Sequence, residues 1–157
     1  MTIHTGNHNL TSRQTFSSDL QATVVVNATA ADVSLPDVTI PSGSIPEGAT
    51  FVRVIAAVSW RKSVESSVGA NAVNVAQNIQ VRDDTPGTYV DAINIPDNSL
   101  AHASEGIEGG FMLVGDENLV TTVDGEDTYN FKWELADVDG ASLTFHDWQC
   151  HLIVDYS

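Results

Sequence analysis

From residue 20 onward the chain is written in short runs that alternate apolar and polar residues, separated by Gly, Pro, Asn and Asp. The clearest is ATFVRVIAAVSW (49–60), where Val52, Val54, Ala56, Val58 and Trp60 share one parity and Arg53 and Ser59 the other. AVNVAQNIQVRDD (72–84) puts Val73, Val75, Ile79 and Val81 on one face and Asn74, Asn78 and Gln80 on the other. TYNFKWEL (128–135) places Tyr129, Phe131, Trp133 and Leu135 opposite Thr128, Asn130, Lys132 and Glu134. A period of two is the signature of a half-buried strand, because successive side chains leave a strand on opposite sides.

The same pattern extends to QATVVVNA (21–28), YVDAINI (89–95), FMLVG (111–115), LVTTV (119–123) and the closing stretch 142–156. DVSLPDVTI (32–40) also fits, with Pro36 confining it to an edge or a bulge. No helical period is sustained, although one helical turn fits Leu100–Ser104. The expected fold is all-β: an antiparallel double-sheet β-sandwich of eight or nine strands. Connections at 41–48, 61–71 and 96–110 are too long for a simple meander and suit Greek-key crossovers. Jelly-roll topology is therefore expected, with an immunoglobulin-like sandwich as the alternative.

Residues 1–19 read differently. They are polar, hold no acid before Asp19 and carry one base, Arg13, with His4 and His8. The expected organisation is a polar N-terminal arm over 1–19 and a single β-sandwich domain over 20–157. No apolar h-region of a signal peptide and no membrane-length apolar run is seen in the 157 residues.

Charge narrows the partners. Six Lys and Arg face 21 Asp and Glu, a formal net charge of −15. Residues 79–157 hold 16 of those acids against Arg82 and Lys132. Such a surface repels phosphate, so neither nucleic acid nor a membrane is an expected partner. A protein partner is expected to be relatively basic. The lone Cys150 rules out an internal disulfide.

The densest collection of chemistry-bearing residues is FHDWQCHLIVDY (145–156). On one strand His146 and His151 point to opposite faces. His146 and Cys150 share a face but stand roughly 13 Å apart, too far for one zinc ion. Even-numbered residues from His146 to Tyr156 are expected to face the core, with Cys150 as a small buried hydrophobe. Phe145, Asp147, Gln149, His151, Ile153 and Asp155 go to the other face. DVDG (137–140) and DGED (124–127) resemble fragments of calcium loops, but Asp-Gly is also a hairpin turn and the terminal Glu of a full loop is missing. A weak calcium site at Asp137 and Asp139 is the minor alternative. No nucleophile elbow, P-loop, dinucleotide fingerprint or zinc motif occurs. The expectation is a non-enzyme with no cofactor and no metal.

The ending TYNFKWELADVDGASLTFHDWQCHLIVDYS resembles the final strand pair of small jelly-roll virion proteins: an aromatic alternating strand, a short Asp/Gly loop and a long last strand. Capsid decoration, or cement, proteins of tailed phages are the group it is most similar to. The resemblance implies a homotrimer on the outer surface of a virion capsid, bound to the major capsid protein and stabilising an icosahedral shell. It makes the arm, with Arg13, His4 and His8, a candidate for capsid or neighbour contact; His151, on the odd-numbered face of the last strand, is a further candidate interaction residue. A carbohydrate-binding or receptor-binding β-sandwich module is the competing expectation. The three tryptophans, all on apolar faces of their strands, weigh against a sugar platform.

Overall fold

A computed structural model of the chain describes residues 12–26, 32–49, 52–65, 77–83, 87–95, 107–119, 123, 125–134 and 143–157. Ten strands follow in order: β1 (Ser12–Ser17), β2 (Gln21–Val26), β3 (Val33–Ser34), β4 (Val38–Ile40), β5 (Val52–Glu65), β6 (Gln77–Asp83), β7 (Val90–Ile95), β8 (Ile107–Val114), β9 (Asp127–Trp133) and β10 (Leu143–Tyr156). They form two five-stranded antiparallel sheets. One runs β1–β10–β5–β8 with β2 also on β10; the other runs β3–β9–β6–β7 with β4 also on β9.

The pairing is nested. β1 and β2 lie end to end along β10, and β3 and β4 end to end along β9. β5 then pairs with β8, and β6 with β7. First with last, second with second-last, and so inward, is one long antiparallel ribbon rolled into two sheets. This is the jelly roll, not the immunoglobulin order. The interruptions have local causes. Pro36 stands in the gap between β3 and β4 and lacks the N–H a ladder needs. Between β1 and β2, buried Ser18 takes over the pairing: its N–H donates to Cys150 O at 2.9 Å, and its hydroxyl accepts from Cys150 N at 3.1 Å.

Between the sheets lies a core of Val, Ile and aromatic residues. Trp60 of β5 stacks on Trp148 of β10 at 5.4 Å, while Phe145 meets Trp60 and Trp148 edge-on at 5.3 and 5.4 Å. Trp133 of β9 closes the group from the opposite sheet, 5.1 Å from Phe145 and 5.5 Å from Trp148. Each such pair contributes about 0.5–1.5 kcal/mol beyond area burial.

Three expectations are corrected here. Phe145 is fully buried and His146 only half-buried, the reverse of strict alternation. Asp147 has φ +53°, a left-handed conformation that Asp tolerates better than most residues. Two consecutive outward residues, His146 and Asp147, therefore separate inward Phe145 from inward Trp148. Second, residues 12–17, read above as arm, form β1, with Gln14 and Phe16 turned inward and half-buried. Third, Arg61–Glu65 and Ile107–Gly110 are strand rather than loop. Val73 and Val75, residues 120–122 of LVTTV, Leu100–Ser104, Asp137 and Asp139 lie outside the described residues.

At the end of β8 the chain leaves and rejoins β5: Gly115 N–H donates to Ala56 O and Leu119 N–H to Val54 O, both at 2.8 Å. A Cβ on Gly115 would stand 2.1 Å from Ala92 O, so only glycine lets β7 approach so closely.

Candidate interaction face

β1, β10, β5 and β8 have one side on the core. The other side carries three rows of residues whose register follows from the ladders. In the first row, Arg13, Asp155 and Arg53 lie opposite one another on β1, β10 and β5. Arg13 grips the carboxylate in a fork, Nε to Oδ1 at 2.6 Å and a terminal guanidinium N–H to Oδ2 at 2.9 Å. Arg53 donates to the same Oδ2 at 2.8 Å. The Asp155 side chain is only 8% exposed, whereas those of Arg13 and Arg53 are 61% and 41% exposed. Hydrogen bonding from Arg13 is the main reason its acidity rises, its pKa falling from 3.8 to about 2; Arg53 adds to this and burial opposes it.

The second row, Thr15, Ile153 and Ile55, is largely apolar. The third is Ser17, His151, Ala57 and Val114. His151 is buried, and both ring nitrogens are used: Nδ1 lies 2.7 Å from Ser17 Oγ and Nε2 2.7 Å from Ser59 Oγ. A neutral imidazole has one donor and one acceptor, so one serine accepts and the other donates. Burial lowers the histidine pKa from 6.5, which keeps the ring neutral at pH 7. Beyond this row, Gln149 Nε2 donates to Ser18 O at 3.2 Å, and Arg61 of β5 pairs with Asp147 across the ladder.

The exposed hydrophobic side chains Met112 (52%) and Val114 (53%) stand at the β8 edge of this face. Three of the six Lys and Arg residues, Arg13, Arg53 and Arg61, lie on this face and pair with two acids, Asp147 and Asp155. The outer side of the second sheet is different. Gln80 donates to both Asp91 and Glu134, Lys132 pairs with Asp32, and Arg82 and Lys132 lie 4.7 Å over the Tyr89 ring. The groups named on that side interact with one another.

Of the candidate residues named from sequence, Arg13 and His151 come together on one face, two rows apart. His4 and His8 lie outside the described residues. Reading the sequence missed Ser17 and Ser59 as partners of His151. Their separations of 134 and 92 residues leave no local signal, since only the three-strand register brings them together. The Arg13–Asp155 pair spans 142 residues for the same reason.

Other features offer less chemistry. Cys150 is fully buried, and burial pushes its thiol pKa up to about 12, which removes the thiolate. A cavity of about 410 Å³ at one end of the sandwich lies between the 42–49 loop and Val123 and Gly125; Glu47 is the one charged residue among its described lining residues. Trp60, Trp133 and Trp148 are 4%, 0% and 0% exposed and cannot serve as a stacking platform for a sugar. The described residues contain no group of three His, Cys, Asp or Glu side chains placed to hold a metal ion. Comparison with protein-family models, curated proteins and solved structures gives no match to this chain.

Proposed function

We propose that this chain is a virion structural protein of the capsid decoration type, stabilising an icosahedral shell through protein–protein contacts made by the outer face of the β1–β10–β5–β8 sheet. The observation that carries the reading is the contrast between the two outer faces. A chain with charge −15 gathers Arg13, Arg53 and Arg61, each paired with a carboxylate, on one sheet beside the apolar Ile55 and Ile153 and the exposed Met112 and Val114, while the outward residues named on the other sheet are polar. An apolar strip rimmed by charged residues is the usual make-up of a protein-binding patch. The jelly-roll fold allows this role but does not dictate it, since the same fold serves lectins and enzymes. The buried tryptophans favour it over a sugar-binding module.

The major capsid protein is the proposed partner, met on the outside of the shell. Shells assembled without this chain are expected to release their contents at a lower temperature than complete ones, and adding back the purified protein should restore the difference. Identical thermal release with and without the chain would refute the reading.

A further inference from the structure

In the first row of the outer face, two guanidiniums share one carboxylate. Arg13, Asp155 and Arg53 stand side by side on β1, β10 and β5. Both arginines reach the same oxygen: a terminal nitrogen of Arg13 lies 2.9 Å and one of Arg53 2.8 Å from Oδ2. Like charges from strands two apart are thereby drawn together over a side chain that is itself only 8% exposed. One carboxylate balances one guanidinium and leaves the other.

The donors of the pair are not used up either. The Arg13 fork engages Nε and one terminal nitrogen, and the second terminal nitrogen of this 61% exposed side chain has no partner among the described residues. Arg53, 41% exposed, commits one terminal nitrogen to Asp155. Its Nε is buried without a partner, and its other terminal nitrogen has none among the described residues. A guanidinium donates five N–H groups from one plane and accepts none, so its complement is an oxyanion. On a protein surface that group is the carboxylate of Asp or Glu.

We infer that Arg13 and Arg53 form a carboxylate-binding site, and that its occupant is an Asp or Glu side chain of the protein that covers this face. This assignment rests on the reading of the face as a protein-binding surface. It gives the partner a local chemistry opposite to the one the net charge of −15 favours for the partner as a whole. The next row, Thr15, Ile153 and Ile55, offers apolar contact beside the incoming acid. Covering that row sheds water from the ion pair and strengthens it.

Two measurements test the site and its occupant. In the chain alone, the arginine Nε–H signals of a ¹⁵N-labelled sample are followed by NMR at about pH 6 as sodium acetate is added, with sodium chloride at equal ionic strength as reference. The Arg13 and Arg53 signals should move together and saturate, with an apparent Kd on the order of 10 mM. Arg61, which has Asp147 to itself among the described residues, should behave as it does in chloride. Arg53→Gln leaves the Arg13 fork in place and should abolish saturation at Arg13 with an unchanged far-UV circular dichroism spectrum, and Arg53→Lys should recover part of it. Cosedimentation with shells that lack the chain then compares partners: Arg53→Gln should bind about tenfold more weakly than wild type. Signals that only follow chloride would overturn the site. Equal shell binding by wild type and Arg53→Gln would overturn its occupant. Saturation by acetate in a chain that no shell takes up would remove the capsid reading and leave the site standing.

Discussion

Asp155→Asn removes the charge that holds two arginines on one strand row while keeping nearly the same shape. The Asp155 carboxyl titrates near 2 in the fold against an ordinary 3.8. At 1.36 kcal/mol per pH unit that difference is worth roughly 2.4 kcal/mol. The guanidiniums are 61% and 41% exposed, so solvent screens the attraction and about 1 kcal/mol is the realistic loss. The sign is set by linkage. A carboxyl whose folded pKa is depressed stabilises the fold above its unfolded pKa and loses that contribution as pH falls from about 4 towards 2. Urea unfolding at fixed protein concentration should show the variant less stable at pH 7 by about 1 kcal/mol, a midpoint shift of roughly 0.5 M. At pH 2 the two proteins should converge. His151 acts in a different window: its folded pKa is lowered, so its contribution is lost as pH falls below about 6.5 and does not mimic the Asp155 limb. An unchanged midpoint at pH 7, or a gap that persists at pH 2, would refute the assignment of Asp155 as the charge centre of the face.

Phe145→Ala should destabilise by about 4 kcal/mol and His146→Ala by less than about 1 kcal/mol, a comparison by thermal unfolding that checks the phase reversal at Asp147. Gly115→Ala should cost about 3 kcal/mol by the same measurement, because the new methyl meets the Ala92 carbonyl rather than a yielding side chain. Cys150 should resist a thiol reagent in native buffer and react at once in denaturant, followed by absorbance; fast reaction of the folded protein would contradict its burial.

The sheet architecture was legible where burial is one-sided. Val52, Val54, Ala56, Val58 and Trp60 on β5, and Tyr129, Phe131 and Trp133 on β9, turn inward as their parity requires. The pattern misled at Asp147, because one left-handed residue reverses parity without adding or removing a position. It also passed over β1, whose polar text SRQTFS has only Phe16 as an apolar mark. That strand is specified by its partner: β10 presents Asp155 to Arg13, His151 to Ser17 and the Tyr156 hydroxyl to the Gln14 amide. The candidate interaction face was half legible. Arg13 and His151 could be picked out as residue types. Their placement on one surface depends on register between strands far apart in the chain, which a period of two does not encode.

The most direct test of the central claim is to count this chain in purified particles by quantitative mass spectrometry. A decoration protein that reinforces the shell is present in a fixed proportion to the major capsid protein. A stoichiometric ratio is the predicted result. Absence from the particle, or a few copies such as a tail component would contribute, would contradict it.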